Sequence, residues 1–274
     1  MASTVSIEDL VGRIGNGASI ALPSDYSGCA MTAVRALVAR GVRDLHLVCM
    51  PQGGFQVDML VGAGAVARIE AAAVTLGEHG VAPRFTEAIK AGLIEMWDST
   101  CPALLASLQA GEKGLPFIPF RGIIGSDLLR VRPDWKVIDN PMAESGVKDP
   151  VVLLPATRPD FALFHALRAD AQGNVWVGVQ RELMTAAHAA RQTLVTVERI
   201  EDADFLRDPD LAPGTISSLY VSALAIAKDG AWPVGLDNAY AADEKALQSY
   251  ASAAATAEGF ARWMRNPLQV AAHA

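Results

Sequence analysis

Residues 159–179 read PDFALFHALRADAQGNVWVGV. Residues 161–167 are almost entirely apolar with one histidine among them, which predicts a strand buried on both faces near the middle of a sheet. Asp170 and Asn174 then indicate a tight turn, because the Asp side chain can hydrogen-bond the backbone that follows it. Residues 175–177 predict a returning strand. This stretch therefore predicts a strand, a tight turn and a second strand.

Upstream of this stretch, strand-like segments alternate with segments of helical periodicity. Such alternation predicts right-handed crossovers and a mostly parallel sheet. Ser6 is a plausible cap for the first helix, and Gly41 for the end of the second. The predicted strands are 18–22, 45–50, 67–75 and 93–97, and the predicted helices after the first are 31–40, 56–61, 84–91 and 100–110.

The middle and the end of the chain are less regular. Pro116 and Pro119 predict an end to regular structure, and the glycine-rich residues after them predict a loop. Residues 131–150 predict an excursion from the sheet, and residues 151–154 predict a return to it. Further predicted elements are a helix at 184–191, a strand at 193–197, a polar loop at 200–213 and one or two helices at 243–265.

Composition narrows the class of protein. The chain has 274 residues, 51% of them apolar, so it can bury a large core, and we expect one domain over residues 1–274. Its net charge of −7 and the lack of a basic block argue against a nucleic-acid partner. With no leader-like or membrane-spanning stretch, we expect a cytoplasmic protein. Cys29, Cys49 and Cys101 have no disulfide or zinc spacing, and no metal is expected.

Two segments carry a family resemblance. The segment PDFALFHALRADAQGN at 159–174, and the segment GLPFIPFRGIIGSDL at 114–128, are in the same order as two signature segments of family I coenzyme A transferases. In both segments the chain resembles the alpha-type subunit of that family. The resemblance implies an α/β fold with an open, mostly parallel sheet flanked by helices, of the NagB/RpiA type.

The same resemblance implies a function. An alpha-type subunit works with a homologous beta subunit that carries a catalytic Glu, and the pair moves coenzyme A between an acyl-CoA and a carboxylic acid through a glutamyl-CoA thioester. Coenzyme A and acyl-CoA are then substrates, and no permanently bound cofactor is expected. No nucleic acid or membrane takes part.

The loop at 121–127 is the first candidate binding site. Gly122 and Gly125 allow backbone N–H groups to face an anion or carbonyl oxygen, and Ser126 adds a hydroxyl. Arg121 is a candidate for a phosphate of coenzyme A or an acyl carboxylate. Each of these residues also has a structural alternative, namely a turn, a subunit contact or an ion pair with a nearby acid.

The loop at 24–28 is the second candidate, because open α/β sheets place ligands where a strand ends and a helix begins. In the family this loop is glycine-rich, and here Gly28 alone keeps that character. Ser24 and Ser27 can bind a carboxylate or carbonyl, or they can cap the next helix.

Glu78 lies between two glycines at a predicted strand end, where a thioester could reach it, and Glu is a known covalent nucleophile. In the family the nucleophilic Glu belongs to the beta subunit. Glu78 is therefore either an exposed turn residue or, less favoured, the nucleophile itself.

Two other functions stay open. Segments 196–200 and 240–259 also resemble alpha subunits of hydrolases that cleave a ring in steroid CoA thioesters, although Ser99 and Thr100 stand where those hydrolases have an acid. A non-enzymatic effector-binding domain is the third possibility, since related sheets serve in transcriptional regulators.

Overall fold

The computed structural model describes residues 3–237 and 239–266. Both ends of the predicted 1–274 domain, residues 1–2 and 267–274, and Asn238 lie outside the described residues. Among the described residues, no helix is long and apolar enough to cross a membrane.

The described residues form two sheets and the helices that cover them. The strands are β1 (Ser3–Thr4), β2 (Ser19–Pro23), β3 (Leu45–Met50), β4 (Val66–Ala71), β5 (Glu95–Asp98), β6 (Phe117–Phe120), β7 (Lys136–Asp139), β8 (Pro150–Pro155), β9 (Phe161–Asp170), β10 (Val175–Trp176), β11 (Gln192–Glu201), β12 (Thr215–Ile216) and β13 (Ala223–Ile226). The helices are α1 (Ile7–Gly12), α2 (Met31–Arg40), α3 (Phe55–Gly62), α4 (Pro83–Lys90), α5 (Cys101–Glu112), α6 (Leu128–Val131), α7 (Arg181–Ala189), α8 (Glu244–Ala253) and α9 (Ala257–Arg265), with short 3-10 turns at Gly77–His79 and Ala212–Gly214.

The larger sheet confirms the predicted α/β class. Its strands lie in the order β1-β13-β11-β9-β2-β3-β4-β5, and every pair along this path is parallel. Strand β9 lies between β11 and β2, as its apolar run predicts. Phe161 and Leu163 enter the core on one face of the sheet, and Ala162 and Phe164 enter the core on the other. The strand is therefore buried on both faces.

The turn after β9 also forms as predicted. The Asp170 carboxylate accepts hydrogen bonds from the backbone N–H groups of Gln172 and Asn174 and from the Asn174 side chain. These bonds close the turn, and β10 returns antiparallel to β9. Asp170 is buried, and the same carboxylate also accepts the Phe205 N–H. This bond anchors the later loop that contains Phe205.

Local signals place the first helices. Ser6 Oγ accepts the Asp9 N–H at 3.0 Å and caps α1, which satisfies one of the free N–H groups of a helix start. Gly41 ends α2 in the left-handed conformation with φ 69°, where a side chain would be strained. Helix α2 and strand β3 begin and end at the residues that their sequence patterns predict.

The second sheet is not predicted by the sequence patterns. Pro119 predicts an end to regular structure, but it lies in β6, and residues 151–154 form the middle strand of a separate antiparallel sheet ordered β6-β8-β7. Proline is tolerated in β6 because this strand is at an edge. Strand β7 forms within the expected excursion at 131–150. One face of the small sheet packs on Ala103 and Ala106 of α5.

Helix α5 lies between the two sheets. Its Leu104 and Leu108 pack into the core of the large sheet, while Ala103 and Ala106 belong to the core of the small one. The two sheets therefore share a helix. The assignment of the whole chain to one domain stays a prediction.

Candidate functional site

The loop at 24–28 follows β2 and crosses the carboxyl end of the large sheet. Ser24 is buried, and its hydroxyl donates to the carbonyl oxygens of Met50 at 3.0 Å and Gln52 at 3.3 Å. This hydroxyl therefore ties the loop to the end of β3. Open parallel sheets bind ligands at this edge.

Gly28 is the point where the loop touches β9. The Gly28 carbonyl accepts the His165 N–H at 2.7 Å, and φ at Gly28 is 83°. A Cβ at this position would overlap the His165 carbonyl oxygen. Gly28 is thus required for close backbone approach, although that approach is to the protein's own strand.

Asp25 links the loop to the start of α3. Both of its carboxylate oxygens lie 3.1 Å from the Phe55 nitrogen, whose N–H donates to them at the amino end of that helix. Gly54 lies so close that a Cβ there would overlap the Asp25 carboxylate. Burial raises the pKa of Asp25 to about 6, and the hydrogen bond from Phe55 only partly offsets it. The carboxyl therefore titrates just below neutral pH.

Neither serine of the loop caps α2. The N-cap of α2 is Ala30, and it makes no side-chain hydrogen bond, so the capping alternative for Ser24 and Ser27 is wrong. Ser27 Oγ instead donates to Glu182 Oε1 at 2.6 Å and holds the loop against α7. Binding of a substrate oxygen by either hydroxyl stays a prediction.

Cys29 follows the loop and is fully buried. Burial raises the pKa of its thiol well above the usual value, and the nearby Asp25 carboxylate raises it further. Gln56 Nε2 donates to the sulfur at 2.9 Å. A thiol held protonated in this way is a packing and hydrogen-bonding group, and not a nucleophile.

Two recesses open on either side of the loop and share Tyr26. The Trp176 recess has a volume of about 240 Å³ and is lined by residues 26–28, 165–167, 176–180 and 236–237 with Leu183. The Glu78 recess has a volume of about 330 Å³. Its lining consists of residues 25–26, 52–55 and 75–79 with Val234, Glu244 and Leu247.

Glu78 lies in the 3-10 turn Gly77–His79 and is exposed. It borders the Glu78 recess together with Asp25 and Glu244, so the recess is acidic. His79 Nε2 lies 3.2 Å from Glu244 Oε2, and the His79 ring packs edge-on against Phe55. Because Glu78 is exposed and lies beside two other acids, it fits the role of a turn residue better than that of a nucleophile. Its role as the nucleophile stays a prediction.

The loop at 121–127 lies elsewhere, between β6 and α6 of the small sheet. Arg121 pairs with Asp149, and Gly125 has φ 79°. Ser126 Oγ is buried and has no hydrogen-bond partner among the described residues. Neither recess is lined by residues 121–126. The structure thus separates the two groups of predicted binding residues, and a role for Arg121, Gly122, Gly125 or Ser126 stays a prediction.

A network around Glu198 was missed at the level of sequence. His165 Nε2 lies 2.8 Å from Glu198 Oε1, and its Nδ1 lies 2.8 Å from Thr196 Oγ1. The Tyr240 hydroxyl donates to Glu198 Oε1 at 2.8 Å. Burial raises the pKa of Glu198, but these donors and the N–H groups of Asp229 and Gly230 outweigh it and hold the pKa at about 2.

His165 is therefore a satisfied core histidine. Its side chain is fully buried, and both ring nitrogens have partners. If Nε2 carries the proton and donates to the carboxylate, Nδ1 accepts from the Thr196 hydroxyl. A sequence signal for this network did exist, because the segment around Glu198 lies in one of the two late segments with a hydrolase resemblance.

No metal centre is apparent in the described part of the chain, where no group of three or more His, Cys, Asp or Glu side chains is placed to hold an ion. Arg168 pairs with Glu201 at 3.3 Å and packs over the Trp176 ring. Like Arg121, which pairs with Asp149, it is thus already paired with an acid.

A sequence model described as Coenzyme A transferase matches residues 4–216. The chain belongs to the coenzyme A transferase family. It is 30% identical to the A subunit of 3-oxoadipate CoA-transferase from Pseudomonas knackmussii over 272 residues, which cover 96% of this chain and 93% of the relative. It is 29% identical to the cholesterol ring-cleaving hydrolase IpdA subunit of Rhodococcus jostii over 273 residues, 96% of this chain and 91% of the relative.

Solved structures of the coenzyme A transferase family agree with the fold. Glutaconate coenzyme A-transferase from Acidaminococcus fermentans superposes with a TM-score of 0.87 and 28% identity, covering 96% of this chain and 88% of that one. The predicted family and fold class are confirmed. Membership of an enzyme family also removes the support for a non-enzymatic effector-binding domain.

Proposed function

We propose that this chain is the alpha-type subunit of a heteromeric coenzyme A transferase. The observation that carries the proposal is the match, along almost the whole of both chains, to a relative that is named as the A subunit of such an enzyme. The geometry supports a division of labour. The two recesses at the carboxyl edge are preformed, while the carboxylates that line them are either buried beside a helix end, as Asp25 is, or exposed, as Glu78, Asp237 and Glu244 are.

In the proposed reaction the nucleophile is a Glu of the partner. Its carboxylate attacks the thioester carbonyl of the acyl-CoA, and the coenzyme A thiolate leaves, which forms an acyl-glutamyl anhydride. The thiolate then attacks the glutamyl carbonyl and releases the acyl carboxylate. An acceptor carboxylate repeats these two steps in reverse and leaves with coenzyme A.

In this reaction, the present chain binds the substrate and shields the reacting carbonyl groups from water. An anhydride and a thioester both react with water, so the walls around them must exclude it. The loop at 24–28 is suited to this task, because Ser24, Ser27 and Gly28 each bind a different element of the fold. Such a loop holds its shape without substrate.

The ring-cleaving hydrolase is the second candidate, because of the 29% identity to the Rhodococcus jostii subunit. This candidate is weakened by the residues that stand where those hydrolases have an acid. Thr100 caps α5 by accepting the Ala103 N–H at 3.3 Å, and Ser99 is buried. The residues there form a helix start and supply no acid.

A trapping experiment tests the transferase. This chain is prepared with the protein encoded beside it, incubated with a panel of acyl-CoAs, and treated with borohydride or hydroxylamine, which react with a glutamyl thioester. Intact mass is then read for both proteins. We expect an adduct on the partner alone, in the wild type and in Glu78→Gln alike.

Other outcomes have definite meanings. An adduct on this chain that disappears in Glu78→Gln makes Glu78 the nucleophile and overturns the assignment of subunits. Consumption of acyl-CoA without an adduct on either protein favours the hydrolase. Transfer at full rate by the isolated chain contradicts the need for a partner.

A further inference from the structure

The walls of the Trp176 recess are mainly apolar. Leu167, Val177, Leu183 and Leu236 contribute to its walls. Its volume of about 240 Å³ equals roughly eight groups of water or methylene size, at about 30 Å³ each. The space suits a short unbranched or branched hydrocarbon chain.

Gln180 and Ser27, two polar residues that line the recess, already have hydrogen-bond partners within the protein. Gln180 Nε2 donates to the Tyr26 carbonyl at 3.4 Å and to Asp237 Oδ2 at 3.3 Å. Ser27 donates to Glu182. A ligand inside the recess therefore meets mainly hydrocarbon.

The wall around Trp176 is preformed. Gly214 O accepts the N–H groups of Val177 at 2.8 Å and Gly178 at 3.1 Å. A Cβ on Gly214 would lie 2.9 Å from Gly178 Cα, so the two backbones are in direct contact. Because this wall needs no rearrangement, binding of an apolar ligand carries no cost for ordering it.

The described lining of the recess has no cation to pair with the terminal carboxylate of a dicarboxylic acyl group. Among its described lining residues there is no lysine or arginine, and residues 1–2, 238 and 267–274 include none in the sequence. Arg168 is on the Trp176 ring at 4.7 Å and is neutralised by Glu201. The charge at the mouth is that of Asp237, which would repel an anion.

We propose that the Trp176 recess is the acyl pocket of this enzyme and that it selects acyl-CoA thioesters with an uncharged, apolar acyl chain over those with a terminal carboxylate. The inference rests on the proposed transferase function and adds the substrate class to it. It distinguishes this chain from relatives that are named for the dicarboxylates 3-oxoadipate and glutaconate.

The test uses the complex with the partner and an acyl series of acetyl-, butanoyl-, pentanoyl- and hexanoyl-CoA. Transfer to a common acceptor gives kcat/KM, and calorimetry gives the binding constant of each thioester. Each methylene that enters the recess should raise both by about fourfold, since burial of a methylene contributes about 0.8 kcal/mol. Glutaryl-CoA, which matches pentanoyl-CoA in carbon number, should be at least roughly tenfold poorer, because its carboxylate must be buried without a partner.

Substitutions at two exposed positions test whether the recess itself sets the acyl preference. Val179 is 84% exposed at the mouth, and Val179→Trp should shorten the recess and abolish the gain from butanoyl to hexanoyl. Asp237 is also exposed, and Asp237→Arg should raise the glutaryl-to-pentanoyl ratio by about fivefold, the scale of a solvent-exposed ion pair. Glu144→Arg makes the same charge change at an exposed position near the small sheet and should leave the ratio unchanged.

The outcomes separate the two proposals. A preference for glutaryl-CoA, or chain-length dependence that Val179→Trp leaves intact, overturns the acyl pocket while the transferase stands. Absence of transfer with every thioester overturns the transferase. In that case the calorimetric series and its response to Val179→Trp still decide whether the recess takes the chain.

Discussion

The Glu198 network makes a quantitative prediction about stability. Glu198 Oε1 accepts from His165, Tyr240 and Gly230, and Oε2 accepts from the Asp229 N–H at 2.8 Å. In Glu198→Gln the amide has one oxygen and one NH2 group, so whichever way it turns, a donor faces a donor. We expect this variant to lose about 2–3 kcal/mol of unfolding free energy, the scale of a hydrogen bond to a charged group.

Glu198→Ala should lose more. It removes the acceptor from four donors at once, and His165, whose side chain is fully buried, cannot turn to water. Breaking a buried charged pair typically costs about 3–5 kcal/mol. Glu201→Gln on the same strand is the matched control, because Glu201 pairs with Arg168 and Arg199 near the surface and should lose less than about 1 kcal/mol.

The loss of unfolding free energy in Glu198→Gln should also depend on pH, and it should be smaller at low pH. The pKa of Glu198 in the folded protein is about 2, below its unfolded value near 4.3. The stabilisation is therefore complete above about pH 4.3 and is lost as the pH falls towards 2. Urea unfolding followed by tryptophan fluorescence, at pH 7 and at pH 3, should show a smaller difference between wild type and Glu198→Gln at pH 3.

Either of two results would refute this role for Glu198. One is that Glu198→Ala and Glu201→Gln have the same unfolding free energy at pH 7. The other is that the deficit of Glu198→Gln is as large at pH 3 as at pH 7. Unchanged m-values between variants are needed for the comparison, because they show that the same surface is exposed on unfolding.

Three further substitutions have expected outcomes. Gly28→Ala should destabilise by roughly 3 kcal/mol in urea unfolding, since its Cβ would overlap the His165 carbonyl at positive φ. As pH rises from 4 to 6, the unfolding free energy of Asp25→Asn should increase relative to that of wild type by up to roughly 3 kcal/mol. The reason is that the raised pKa of Asp25 makes the wild type lose stability across that range. Tyr250→Phe should lose about 1.5–3 kcal/mol, since it removes the 2.8 Å donor to buried Asp58.

Each of these expectations has a contrary result. A Gly28→Ala variant as stable as Gly41→Ala, where nothing lies within 4 Å of a Cβ, would show that the contact with β9 is relaxed at little cost. For Asp25→Asn, a pH profile parallel to that of the wild type would mean that this carboxyl titrates outside the stated window. If Tyr250→Phe is neutral, Asp58 obtains a replacement donor.

Much of the large sheet was predictable because its signals are local. The apolar run of β9 indicates burial on both faces, and Gly41 marks the end of α2 at the predicted residue. The small sheet was not predictable in this way. Its edge strand contains Pro119, which ordinarily argues against a strand, and β7 is exposed along its length and lacks a buried pattern.

The place of the candidate loop in the fold was predictable, but its contacts were not. The end of β2 indicated where a ligand loop would lie, and two recesses open there. The partners of the loop hydroxyls were not readable, because Ser27 bonds to Glu182, 155 residues away. The same holds for Glu198, whose partners His165 and Tyr240 lie 33 and 42 residues from it and belong to separate elements.

Strand β9 connects the stability of the core to the shape of the site. Its His165 ring is held by Glu198, while its His165 backbone contacts Gly28 of the loop at 24–28. That loop forms a wall of both recesses. A displacement of β9 at His165 would therefore change the two recesses together. Binding sites work best when supporting contacts hold them in place before a ligand arrives. The conformational cost of ordering this loop is thus met during folding, by contacts that no substrate has to make.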